Sequence, residues 1–164
     1  MTRVSELMEK MIAYSDGNRR DINHYVKVYA FARTIGEGEG LSDDEQETLE
    51  AAAVIHDIAV PLCRRKYGKT DGPLQEKEGM ILAESILEDT DFSDDAKKRI
   101  VYLVGHHHTY TGVDGPDYQI LLEADYIVNA DEHELSRDNI KQAMQSIFKT
   151  RTGPTILRLI YDDE

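Results

Sequence analysis

Apolar residues recur at helical spacing through this chain, and several of the stripes they form carry an ionisable side chain where a hydrophobe is due. Leu49, Ala52 and Ala53 lead at i, i+3 and i+4 to His56 at i+7. Leu121, Ala124 and Val128 hold the same register around Asp125. His24 opens a stripe continued by Val28, Phe31 and Ile35. Such periodicity specifies amphipathic helices packed on one another. It also obliges the ionisable members to find partners inside, because an unpaired buried charge is costly.

The expected class is all-α, a compact bundle of about six to eight helices. Helices are expected near residues 3–14 and 21–35, from Ser42 to the His56-Asp57 pair, after Pro73, from about Ser93, and through the Leu121–Val128 stripe. Residues 137–149 and a segment after Pro154 complete the fold. Gly36–Gly40 is read as the loop that ends the second helix, and residues 59–73 as a connecting segment. Met80, Ala83 and Leu87 are expected inward. Ile100, Leu103, Val104 and His107 share a helix face, with His106-His107-His108 at its C-terminal end. Thr109–Asp117 reads as a loop and Asp162-Asp163-Glu164 as a solvated end.

A length of 164 residues suits one domain, with a core region at about 20–130 and C-terminal helices over 131–161. The net charge of -13 argues against a phosphate-tracking surface for nucleic acid. An anionic substrate then needs local cations or a metal. Cys63 is the lone cysteine, so no internal disulfide forms, which favours a reducing compartment. No stretch approaches the roughly 18 apolar residues of a membrane span. The expectation is a soluble cytoplasmic protein with a small phosphorylated substrate and no nucleic-acid or membrane partner. A homo-oligomer is compatible with it.

Four helices thus each offer a candidate ligand to the buried side: His24, the His56-Asp57 pair, His106 or His107, and Asp125. One such residue has a bland explanation, as a satisfied core histidine or a carboxylate capping a helix. Several converging on one core point to a divalent metal with positions left for water and substrate.

In order and spacing these residues resemble the HD-domain superfamily of metal-dependent phosphohydrolases, whose pattern is His, then His-Asp, then a distant Asp. The resemblance spans about residues 20–130 and includes Ala51 to Asp57, Gly79-Met80-Ile81-Leu82-Ala83 and Glu123-Ala124-Asp125-Tyr126-Ile127. It implies an HD-type helical bundle in which His24, His56, Asp57 and Asp125 bind one divalent ion (Mn, Fe, Co, Ni, Zn or Mg). Two-metal relatives, the HD-GYP phosphodiesterases and dinucleoside tetraphosphate hydrolases, add a His or His-His pair after the fifth helix. They also add a His near the start of the preceding helix, and the Asp of the pair bridges both ions. His106 and His107 match the former, with His108 in play if the register shifts by one. The latter has no match: Gln75 stands in its place, leaving Glu78 or Glu76 as substitute ligands. One ion or two therefore stays open. With one ion, His106 and His107 would contact substrate phosphate or carry protons.

The chain lacks the Gly-Tyr-Pro motif of HD-GYP enzymes and the Glu-Asp pair that alarmone hydrolases carry after the metal pair. It looks more like small stand-alone bacterial HD proteins, also through Arg65-Lys66-Tyr67-Gly68 and Gly105 to Thr111. The implied activity is hydrolysis of a phosphate ester or anhydride, such as a nucleotide, by a metal-activated water, with Asp57 helping to orient the nucleophile. Arg64, Arg65, Lys66 and Lys69 are candidates to hold phosphate, Lys66 foremost and also with a catalytic role. Tyr110 and Asp114 are placed at the same pocket from loop position. Two alternatives remain: a non-catalytic metal- or nucleotide-binding sensor, and a di-iron HD oxygenase.

Overall fold

Polar caps set where the helices begin. Thr2, Asn18, Ser42, Asp71, Ser93 and Ser136 each accept a backbone N–H from the first turn that follows. Ser42 and Glu45 complete a reciprocal capping box. The computed structural model describes residues 1–161, which form nine α-helices and no strand. In chain order these are α1 (Arg3–Tyr14), α2 (Arg19–Glu39), α3 (Asp43–Ile55), α4 (Val60–Tyr67) and α5 (Gly72–Leu87). They continue with α6 (Asp94–Val104), α7 (Pro116–Glu132), α8 (Arg137–Ser146) and α9 (Thr152–Tyr161). The acidic end expected at 162–164 lies outside the described residues. No described helix is long and apolar enough to cross a membrane.

The core is organised around α3, which packs against α1, α2, α6 and α7. Every residue from Thr48 to Ile55 is buried. The small run Ala51-Ala52-Ala53 allows this, because a helix hemmed in on several sides needs short side chains where neighbours approach. The α7 helix is enclosed in the same way from Asp117 to Val128. Behind it, the fully buried Glu123 carboxylate accepts from Lys149 N at 2.7 Å and Thr150 N at 3.0 Å. It also takes Gln119 Nε2 at 2.7 Å, and so pins the α8–α9 turn onto α7.

Three local expectations change. The Gly36–Gly40 run does not end α2 at Ile35: the helix continues to Glu39, and left-handed Gly40 (φ 74°) terminates it. Gly38 serves contact instead, since a Cβ there would lie 2.5 Å from Thr152 Oγ1 of α9. Residues 59–73 are not merely a connector, because Pro61 lies in the first turn of α4, where its missing N–H costs nothing. Met80 is exposed, while Ala83 and Leu87 are buried as expected.

Candidate metal centre

Two helix ends deliver two of the imidazoles by the same local device. The α3 helix stops at Ile55, and His56 just beyond it donates Nδ1–H to the Ala53 carbonyl at 2.8 Å. The α6 helix stops at Val104, and His107 donates Nδ1–H to the Val104 carbonyl at 2.7 Å. Each ring satisfies a carbonyl orphaned by its helix end and turns Nε2 inward. The two rings lie 5.2 Å apart at 90°. His24, within α2, donates Nδ1–H to Glu132 Oε2 at 2.8 Å, so its Nε2 also faces inward. Asp57 follows His56 in the turn, with its carbonyl held by the Tyr25 hydroxyl at 3.0 Å. Asp125 approaches from the middle of α7.

His24, His56 and Asp57 present donor atoms within 4.8 Å of one another. His24 Nε2 lies 3.2 Å from His56 Nε2, 3.2 Å from Asp57 Oδ2 and 3.3 Å from Asp125 Oδ1. His56 Nε2 lies 3.6 Å from Asp57 Oδ2 and 3.4 Å from Asp125 Oδ1. Ligands at about 2.0–2.2 Å from a shared ion sit about 3.0–3.5 Å apart, so this spacing suits one cation. Among the described residues, the buried Asp125 Oδ1 has no hydrogen-bond partner despite those close nitrogens. Its nearest polar neighbours are the two imidazole nitrogens, His24 Nε2 at 3.3 Å and His56 Nε2 at 3.4 Å. The donor set fits a divalent metal.

The charges agree. Burial opposes ionisation of His24, but Asp125 and Asp57 outweigh it and push its pKa up to about 11. Burial likewise opposes ionisation of Asp57 and Asp125, yet the surrounding histidines hold both carboxyls below their ordinary range. His107 is raised against its burial by Asp57. A pocket that pulls protons onto imidazoles is one that lacks positive charge, and a dication supplies it.

A second group, Asp57, His107 and His108, also gathers within 4.8 Å. His107 Nε2 sits 2.9 Å from Asp57 Oδ1, so the two oxygens of Asp57 face the two groups. Gln75 gives its amide N–H to the Thr70 carbonyl and accepts from His108 Nε2 at 2.9 Å, which leaves Nδ1 as the basic nitrogen of His108. Burial and the His107 charge lower the His108 pKa to about 4, keeping that ring neutral. His106 is elsewhere: it stacks on Tyr102 at 4.0 Å and donates Nδ1–H to the Tyr102 carbonyl. Glu78 is taken by Lys66 at 2.9 Å and by the Tyr67 hydroxyl, and Glu76 holds His108 N and the Thr109 hydroxyl.

An HD domain model matches residues 21–136, more than half of the chain. The chain belongs to the HD-domain family. A crystal structure described as a predicted HD superfamily hydrolase, from an uncultured Thermotogales bacterium, has the same fold. It aligns with a TM-score of 0.66 and 20% identity over 96% of this chain and 83% of that one. No curated protein matches.

In this HD domain the His/Asp cluster opens into a cleft of about 510 Å³ lined by His24, Asp57, His108 and Asp125. Of the four cations expected to hold phosphate, only Arg64 lines it, paired with Asp21 at 3.2 Å and 3.3 Å. Lys66 leans over Tyr67 toward Glu78, Lys69 pairs with Asp71 at 3.1 Å, and Arg65 is exposed away from the lining. Tyr110 lines the cleft as expected. Asp114 is held by Arg99 in a separate cleft of about 650 Å³ that contains none of the clustered histidines. The HD cleft also draws in Arg20, Asn129, Glu132 and His133, which carry no periodicity signal because they are polar residues on polar faces.

Proposed function

We propose that the protein hydrolyses a small phosphorylated compound with a divalent metal held by His24, His56, Asp57 and Asp125. The observation that carries this reading is the convergence of imidazole Nε2 atoms and carboxylates on one point beside a cleft containing Arg64. A divalent ion bound there supplies a Lewis acid that lowers the pKa of water and neutralises charge on phosphoryl oxygens. Asp57 presents one carboxylate oxygen to each donor group and accepts a proton-bearing neighbour. Arg64, positioned by Asp21, and Arg20 at the rim supply the positive charge that a phosphate needs on a chain of net charge -13. The cleft volume suits a monomeric compound such as a nucleotide, and the described residues act as one domain.

A second ion is favoured by the Asp57, His107 and His108 group, with His108 in the place first given to His106. The test is metal analysis of the purified chain followed by a phosphatase and phosphodiesterase screen with added metals. Turnover of small phosphate esters that disappears with chelator is expected. A metal-loaded protein inactive across the screen would favour a sensor, and two irons with oxygen-dependent chemistry would favour an oxygenase.

A further inference from the structure

His24, His56 and His107 all turn Nε2 inward, but they differ in what holds the opposite ring nitrogen. His56 and His107 donate Nδ1–H to neutral carbonyls, those of Ala53 and Val104. His24 donates to a carboxylate, Glu132 Oε2, at 2.8 Å. The other oxygen of that carboxylate, Oε1, binds the Lys27 ammonium at 2.7 Å. Glu132 ends α7, the helix that carries Asp125, and Lys27 lies one turn beyond His24 on α2.

A carboxylate that accepts an imidazole N–H fixes the tautomer and makes the opposite nitrogen a stronger donor. It also restricts ring rotation, which a flexible histidine within a helix otherwise retains. An added anion has a cost, since Asp57 and Asp125 already carry two negative charges that a single dication balances. Lys27 removes that cost by neutralising Glu132 from outside, where its ammonium touches no clustered donor atom among the described residues.

We propose that Glu132 is a positioning residue of the metal centre, holding His24 as an Nε2 donor while Lys27 balances its charge. The proposal rests on the reading of His24 as a metal ligand. The test titrates the metal-stripped full chain with Mn²⁺ by calorimetry and with Co²⁺ by visible absorption. Glu132→Gln is expected to bind about 10–100-fold more weakly and to shift the Co²⁺ absorption. Lys27→Met, which removes the balancing charge but leaves the Nδ1–H contact to Glu132, is expected to change affinity by less than Glu132→Gln and to keep the wild-type Co²⁺ absorption. If Glu132→Gln does not fold, Glu132→Asp keeps the charge but withdraws the carboxylate, and weaker binding is expected again.

His24→Ala separates the two levels of argument. Wild-type affinity in His24→Ala overturns the metal site itself. Loss in His24→Ala with wild-type affinity in the folded Glu132 variant overturns this proposal alone. A loss in Lys27→Met equal to that in Glu132→Gln also overturns it, because the ion pair would then merely buttress the two helices.

Discussion

Asp57 Oδ1 lies 2.9 Å from His107 Nε2, although the two residues are 50 positions apart. That contact joins the end of α3 to the end of α6, and the other oxygen of Asp57 reaches His24 at 3.2 Å. Asp57→Ala is therefore expected to lose bound metal and to drop turnover to background. Elemental analysis after dialysis, alongside the activity assay, checks both. Retention of stoichiometric metal would remove Asp57 from the centre.

The second donor group gives a prediction about stoichiometry. His108→Ala should lower the number of ions bound at saturation, whereas His106→Ala and Glu78→Gln should leave it unchanged. His106 is committed to Tyr102, and Glu78 to Lys66 and Tyr67. Equilibrium dialysis against Mn²⁺ measures the count. An unchanged count in His108→Ala limits the site to one ion.

The convergence of His24, His56, Asp57 and Asp125 could be anticipated from the sequence because His24 opens an apolar stripe, His56 closes one with Asp57 beside it, and Asp125 interrupts another, where burial without a partner is untenable. The histidine register was not. A helical wheel holds only while the helix does, and α6 ends at Val104, so the turn after Gly105 rather than the wheel decides which ring faces Asp57. Glycine misled in α2 because its two uses, breaking a helix and admitting a close neighbour, look alike in sequence. The short α4 is missed within the segment read as a connector, since Pro61 sits in its first turn, where a proline is tolerated.

Phosphate recognition is predicted to depend on Arg64 and not on the neighbouring lysines. Arg64→Ala should raise KM about 10-fold, the scale of one charge-assisted hydrogen bond at a partly exposed site. Lys66→Ala and Lys69→Ala should leave KM unchanged, since both lie outside the cleft lining. Steady-state kinetics on any substrate found in the screen decides this. A KM effect from Lys66 with none from Arg64 would place the phosphate elsewhere.

The charge balance of the centre predicts how pH acts with and without metal. In the metal-free protein, Asp125 and Asp57 overcome burial and raise His24 from 6.5 to about 11. A histidine with a raised folded-state pKa contributes stability that is fully present below about pH 6.5 and is lost as pH rises through about 11. The depressed Asp57 and Asp125 work in the other direction, contributing stability above about pH 4 that is lost on acidification. His108, lowered to about 4, costs stability below about pH 6.5, so the metal-free protein should be most stable near pH 6.5, with a melting temperature that falls towards both pH 4 and pH 9. A bound ion needs His24 Nε2 unprotonated, so binding near pH 8 must release protons. The stabilisation by metal should then grow from pH 5.5 to pH 8.5, as fewer protons compete for the same nitrogens. Calorimetric titration in buffers of different ionisation enthalpy counts the protons, and thermal melts across the range measure the stabilisation. Binding without proton release near pH 8 would show that His24 is not where the ion and the proton compete.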